Sequence, residues 1–299
     1  MTLNDPVEPR TLPGTDLVLS PITLGTSPLN DPALAEAMLT GPYGAVDTSN
    51  AYAAGESETA LGVAIGRLGS ERRAVITKTD AEPGTGRFDR DRVLRSYEES
   101  LARLGLDRVQ LLHLHDPYSI SIKEAFGPGG AVEGMRELKE QGAVDLIGIA
   151  AGRNSLMIEY VSSGAFDAVL SHNRYTLIDR SATPLFEEAA RRDMIIFNAA
   201  PFGGGLLAGR GTRYAYQESS ADLLDWVSRA EAVCTEHGVP LTTAALHFSL
   251  RSPLIHSTVV GVGSAERLEQ LERMRATEVP DGLWTALDGL GPAPSTVTD

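Results

Sequence analysis

Three ionisable residues stand at or near the ends of successive short apolar runs: Asp47 in the run 45–49, Lys78 closing 74–78 and His115 closing 109–115. Tyr52 follows five positions after Asp47, in Asp47-Thr48-Ser49-Asn50-Ala51-Tyr52. If the runs are adjacent strands, about 5 Å apart, a carboxylate, an ammonium and an imidazole share one rim with a phenol over them. That set suits proton transfer at an oxygen. A phenol titrates near ~10, and a neighbouring ammonium favours its ionised form. Asp47 would hold the Lys78 ammonium, and His115 would orient a carbonyl or relay a proton. A tunable Tyr52 is then an acid for an alkoxide formed as hydride arrives, or a base in reverse. No side chain supplies hydride, so a cofactor must. Taken singly, each residue also reads as an ordinary rim residue; three on consecutive runs, with the tyrosine, argue for chemistry. His113, two residues before His115, points to the same side of its strand and raises a rival H-x-H metal site with His172. His256 precedes the last run and would lie at the wrong end for it.

Eight apolar runs carry these positions: 22–25, 45–49, 74–78, 109–115, 144–150, 168–172, 195–199 and 258–262. Their lengths suit buried strands. Between them, 32–39, 57–68, 90–104, 131–141, 154–163, 182–192 and a long segment from 221 onward have helical spacing. Strict alternation predicts parallel strands with helical crossovers, here a (β/α)₈ TIM barrel forming a single domain over 1–299. A short hairpin within 10–20, turning at Pro13-Gly14, would close the barrel bottom. The alternative, an open doubly wound sheet, places G-x-G-x-x-G after its first strand, and Gly25-Thr26-Ser27-Pro28 does not fit. Two long loops, 116–130 and 201–220, would emerge on the face where barrel strands end and active sites lie.

The chain has 299 residues, 40 acidic and 26 basic side chains and a net charge of −14. That balance argues against nucleic acid and anionic membranes as partners. The single cysteine, Cys234, cannot form an internal disulfide, and the start MTLNDPVEPR lacks a signal-peptide pattern. The expectation is a cytoplasmic protein with a small-molecule substrate, its oligomeric state left open. Cys234, Trp226, Trp284, His237 and His247 read as helix packing or surface positions.

Glycines mark the last two strand–helix loops. Pro201-Phe202-Gly203-Gly204-Gly205-Leu206-Leu207 follows the seventh run, and Gly261-Val262-Gly263-Ser264-Ala265-Glu266-Arg267 follows the eighth. Such glycines either make turns or let backbone N–H groups approach a pyrophosphate. Ser264 can cap the next helix, whose N-terminus favours phosphate.

Asp47 to Tyr52, then Gly55-Glu56-Ser57-Glu58 and Leu61-Gly62, resemble the first signature of the aldo-keto reductase superfamily. Lys78 in Ile76-Thr77-Lys78-Thr79 and His115 in Leu111-Leu112-His113-Leu114-His115-Asp116-Pro117 resemble its lysine and histidine segments. The resemblance runs from Ile22 to about Leu271. It implies a barrel that binds an extended nicotinamide cofactor, with Tyr52 as general acid/base, Lys78 and Asp47 tuning it and His115 orienting the carbonyl. His115-Asp116-Pro117, Asn173-Arg174-Tyr175-Thr176-Leu177 with Asp179, and Asn198-Ala199-Ala200-Pro201-Phe202 are closer to a subgroup of aldose, L-fucose, L-galactose and pyridoxal dehydrogenases. The activity so implied is oxidation of an aldose at C1 to its lactone. The alternatives are NADPH-dependent reduction of aldehydes or ketones and, in another class, a cofactor-binding regulatory subunit.

The resemblance implies a cofactor site built from Asn173, Ala200, Phe202, Gly204, Leu206, Gly261, Gly263, Ser264 and Arg267, with Tyr175 stacking on the nicotinamide. NADP-dependent relatives often carry a lysine and an arginine in the eighth loop. Here Gly261 takes the lysine position and Arg267 the other, so the cofactor is NAD or NADP with a lean to NAD. Other departures are Ala53 where the family often has glycine, Ala150-Ala151-Gly152 in place of a Ser-Asn pair, and Leu271 where an asparagine often reads the adenine. Asn173 or His172 would take over part of the carboxamide contact.

Overall fold

The structure, a computed structural model, describes residues 10–11, 17–295, 297 and 299. Eight strands form a closed parallel barrel in chain order. They are β1 (Ile22–Gly25), β2 (Ala45–Asp47), β3 (Ala74–Thr79), β4 (Leu111–His115), β5 (Leu146–Ala151), β6 (Ala168–His172), β7 (Ile195–Ala199) and β8 (Ser257–Gly261). β8 closes the ring by pairing with both β7 and β1, with Gly261 opposite Gly25. The expected antiparallel pair is present as Arg10–Thr11 against Val18–Leu19. The Pro13-Gly14 turn and residues 1–9 lie outside the described residues.

The two-residue period of a strand decides what faces the barrel interior. Ala45, Ile76, Leu111, Phe197 and Val259 belong to one buried interior cluster, joined by Leu17 and Leu19 from the N-terminal segment. Their neighbours Val46 and Val75 pack instead with the surrounding helices, as does Leu112. Counting on by two from Ala45, Ile76 and Leu111 reaches Asp47, Lys78 and His113, and then His115. The apolar register that builds the core therefore turns these four polar side chains inward.

The helices are α1 (Pro32–Thr40), α2 (Glu56–Leu68), α3 (Arg90–Leu104), α4 (Ile122–Phe126), α5 (Ala131–Glu140), α6 (Asn154–Ser162), α7 (Thr183–Arg191), α8 (Ala221–Glu236), α9 (Leu241–Leu250), α10 (Ala265–Ala276) and α11 (Asp281–Asp288). The segment expected to run on from 221 is two helices before β8 and two after it. Gly238, at φ 69, and Pro240 end α8 and start α9. α4 lies inside the long loop 116–130, started by a reciprocal Ser121–Glu124 capping box.

α2 and α3 approach closely at Gly62, where a Cβ would stand 2.0 Å from Arg103 O. Gly62→Ala is expected to cost roughly 1–3 kcal/mol, because backbone must move. A thermal melt checks it; an unchanged midpoint would refute the close approach.

Candidate active site

Lys78 and Asp47 are 1% and 3% exposed. The Lys78 ammonium donates to Asp47 Oδ2 at 2.6 Å and to Thr48 O at 2.5 Å. It stands 4.7 Å from the centre of the Tyr52 ring. Burial opposes the charged Lys78, but Asp47 and Tyr52 outweigh it and hold its pKa above the ordinary value. Burial pushes the Tyr52 phenol up to about 12, against the opposing pull of Lys78. Tyr52 is thus a protonated hydroxyl at neutral pH.

Tyr52 opens a short 3₁₀ turn, Tyr52–Gly55, in which Ala53 and Ala54 have φ of 50° and 54°. Left-handed backbone costs an L-residue roughly 1–2 kcal/mol, and such strain gathers at functional sites. The Gly-Glu-Ser-Glu signature pins the turn. Ser57 Oγ donates to Thr26 O and accepts from Leu29 N. Glu58, fully buried, accepts from Thr77 Oγ1 at 2.6 Å and Arg103 Nε at 2.9 Å.

His115 joins this group, its ring edge-on to Tyr52 with centroids 5.8 Å apart. Its Nδ1 lies 2.7 Å from Asp80 Oδ1 and 3.3 Å from Ser49 Oγ. Asp80 is absent from the sequence reading, yet it follows Lys78 by two positions, so strand parity could have found it. Asp80 Oδ2 also accepts from Ser49 Oγ at 2.6 Å and from Ala51 N at 3.1 Å. α3 braces the backbone here: Arg92 Nε donates to Asp80 O, and Ser96 Oγ accepts from Asp80 N. Arg92 in turn makes a two-pronged pair with Glu99, which accepts from Asn50.

Asp116, at φ 41, continues the rim. Its carboxylate lies 3.8 Å from His115 Nε2 and 3.8 Å from His172 Nε2. It lines a cavity of about 390 Å³ with Tyr118, His172, Asn173 and Tyr216. Tyr216 is 68% exposed. It sits with Ala215 in the tight turn of a hairpin, Arg213–Tyr214 with Gln217–Glu218, inside the loop after β7. Both turn residues have positive φ, as a type I′ turn demands.

His113, the register partner of Lys78 on the neighbouring strand, points into the barrel, fully buried and edge-on to Phe197 at 5.8 Å. Gly148 makes its room: a Cβ there would stand 2.3 Å from His113 Nδ1. Neither ring nitrogen has a hydrogen-bond partner among the described residues, and burial drives the ring to its neutral form. Among the described residues, no group of three or more His, Cys, Asp or Glu side chains could hold a metal ion.

The residues assigned to a dinucleotide are only partly gathered. The loops after β7 and β8 are neighbours because their strands pair. Phe202, half-buried, opens a 3₁₀ segment Gly203–Ala208 in which Gly204 and Gly205 have φ of 74° and 115°. Ala200, at φ 57, also lies on the rim. Gly261 and Gly263 are exposed, and a Cβ at Gly261 would meet nothing closer than 3.9 Å. Ser264 caps α10, accepting from Arg267 N. Leu206, by contrast, is buried in the core beside α8 and α9, so only its backbone can face a ligand. Asn173 is buried at φ 61, with its Oδ1 unpartnered among the described residues.

Tyr175 departs from expectation. Its ring packs in the helix layer, 5.5 Å from Phe186 and 5.2 Å from Phe248, and its hydroxyl donates to Ser252. The left-handed Asn173 turns the chain outward after β6, and the apolar faces of α7 and α9 capture the ring. The structure therefore does not bring Tyr175 to the barrel mouth for stacking. It brings in Arg210, which sequence reading missed. Burial and the like charge of Arg267 hold Arg210 below the ordinary arginine value. Neither arginine has a carboxylate partner among the described residues.

The model of the "Aldo/keto reductase family" matches residues 31–291. A D-threo-aldose 1-dehydrogenase of a Pseudomonas species is 35% identical over 205 residues, covering 67% of this chain and 62% of that one. An L-galactose dehydrogenase of Arabidopsis thaliana is 30% identical over 280 residues, 88% of this chain and 86% of that one. A pyridoxal 4-dehydrogenase of Microbacterium luteolum is 26% identical, with 95% and 97% covered. In fold, the chain is similar to an aldo-keto reductase from Bacillus halodurans, with a TM-score of 0.77 at 21% identity over 96% of this chain and 97% of that one.

Proposed function

The chain belongs to the aldo/keto reductase family, an NAD(P)-dependent oxidoreductase acting on CH–OH or aldehyde groups, and from that premise we propose that it oxidises a neutral aldose at C1 to its lactone. The observation that carries the substrate class is Asp116. A carboxylate on the rim, between His115 and His172 and facing a cavity with Tyr216, suits vicinal hydroxyls and repels an anion. Two relatives are named for aldose and L-galactose oxidation, which agrees with this reading.

The residues present fit a nicotinamide dinucleotide. Gly204, exposed at φ 74, presents backbone with no side chain over it, and Arg210 and Arg267 are, among the described residues, two cations without a carboxylate partner in a chain of net charge −14. The buried, unpartnered Asn173 Oδ1 is an acceptor for a carboxamide. When bound, the nicotinamide exchanges hydride with the substrate carbon. The Tyr52 hydroxyl moves the proton at the substrate oxygen, Lys78 and Asp47 set its electrostatics, and His115 orients that oxygen. The lean to NAD rested on Arg267 as a single cation. Arg210 makes two, which suits a dinucleotide with or without a 2′-phosphate.

The test is the near-ultraviolet absorbance of reduced nicotinamide, followed with NAD or NADP and a panel of neutral aldoses. A rise with an aldose supports the proposal. No rise with any sugar, but oxidation of NADPH with simple aldehydes, replaces it by the reductase reading. Dinucleotide binding with no turnover in either direction supports the regulatory one. Arg210→Ala and Arg267→Ala are each expected to weaken dinucleotide binding about tenfold, or roughly 1.4 kcal/mol. Fluorescence titration with both dinucleotides reads this; a larger loss for NADP assigns the pair to the 2′-phosphate.

A further inference from the structure

Oxidising a carbinol releases a proton that some group must accept. Burial disfavours a phenolate at Tyr52, and Asp47, paired with Lys78 at 2.6 Å, offsets the ammonium that would favour one. The neighbouring imidazole is differently built. Asp80 Oδ1 stands 2.7 Å from His115 Nδ1, and a carboxylate oxygen can only accept, so Nδ1 carries a proton. Asp80 is itself 8% exposed, and Ser49 Oγ and Ala51 N satisfy its other oxygen. Nε2 is the remaining atom. It makes no hydrogen bond among the described residues, the nearest carboxylate being Asp116 at 3.8 Å.

We propose that Asp80 is a positioning residue: by taking the Nδ1 proton of His115 it leaves Nε2 as a proton acceptor beside Tyr52, so that the proton released in the oxidation direction ends on His115. This rests on the oxidoreductase reading above. As the C–H electron pair leaves with its hydrogen for the nicotinamide, the C–O bond becomes C=O. The hydroxyl proton passes to the Tyr52 oxygen while the Tyr52 proton passes to His115 Nε2. Tyr52 stays neutral, and the imidazolium formed is balanced by the Asp80 carboxylate. The reverse sequence serves reduction.

The charged and titratable groups around His115 are Asp80 beyond β3, Asp116 on its own strand end, Lys78 on β3, Asp47 on β2, Tyr52 in the following turn and His113 beneath. Burial and the Lys78 charge oppose the imidazolium, while Asp80 and Asp116 favour it, and the balance holds His115 above its ordinary value of 6.5. Oxidation needs neutral His115, so the rate rises as pH climbs through that raised value. Without the Asp80 charge, burial dominates and the limb moves to lower pH.

The experiment is a histidine ¹⁵N titration of the full chain, with His115 identified by the signal lost in His115→Gln, beside the pH dependence of kcat for oxidation. Wild-type His115 is expected to be the Nδ1–H tautomer when neutral and to titrate above 6.5. Asp80→Asn keeps the shape and is expected to move the titration and the acid limb down by about one pH unit or more, with kcat at its plateau reduced at least about tenfold. Dinucleotide affinity should not change. An Nε2–H tautomer in the wild type, or the same titration and limb in Asp80→Asn, overturns the proposal. The tautomer needs no variant and no substrate, so it decides even if Asp80→Asn fails to fold. Failure of the sugar assay with the expected tautomer would count against the substrate reading alone.

Discussion

Tyr52→Phe is expected to lower kcat by about 10³-fold while leaving the fold and dinucleotide affinity intact. The change removes one hydroxyl and keeps the ring that stands over Lys78 and edge-on to His115. Every proton moved at the substrate oxygen passes through that hydroxyl in the proposed chemistry, so KM should change much less than kcat. A phenol held near about 12 is uncharged at neutral pH, and its loss removes no buried charge. Stability should therefore stay within about 1 kcal/mol of wild type. Steady-state kinetics with the best substrate of the sugar panel, beside a thermal melt, reads both quantities. A variant that keeps more than a tenth of wild-type kcat removes Tyr52 from the proton path.

Lys78→Met is expected to damage both stability and activity. The ammonium is buried and donates to Asp47 Oδ2 and Thr48 O, and Asp47 Oδ1 has no partner among the described residues. Removing the cation strands a buried carboxylate, which costs about 3–5 kcal/mol. Because the folded-state pKa of Lys78 is raised, its contribution is complete at neutral pH. It is lost only as pH climbs from the ordinary lysine value of ~10.4 through the folded one. The double variant Lys78→Met with Asp47→Leu separates the two effects. Replacing both partners by apolar groups is near neutral, so most of the stability returns in urea unfolding. Activity should remain about 10²–10⁴-fold down, because no charge is left to set Tyr52. A double variant with wild-type turnover would mean that the pair is only structural.

Strand and helix positions are largely legible in the sequence because they depend on local periodicity. β1, β6, β7 and α3 have the bounds that their apolar spacing predicts. The other barrel strands shift by one to two residues at their ends, where ladder pairing rather than side-chain pattern sets the limit. The gathering of Asp47, Lys78 and His115 is legible for the same reason: residues two apart on a buried strand share a face. Asp80 was legible by that rule and was passed over because it lies one residue beyond the end of β3.

Other features depend on contacts between distant parts of the chain. Tyr175 leaves the mouth because Asn173 adopts a left-handed conformation and Phe186 and Phe248 offer an apolar bed. Arg210 meets Arg267 because β7 and β8 pair, which brings loops far apart in sequence together. His113 is enclosed by Phe197 and by the missing side chain of Gly148, neither near it in sequence. The sequence by itself determined the barrel and the gathering of Asp47, Lys78 and His115 on its polar rim, since a period of two along each strand carries that information locally. Which loop residues turn toward the mouth, and which carboxylate holds His115, only the tertiary structure decided. Those outcomes follow from backbone conformations and packing partners that no local pattern encodes.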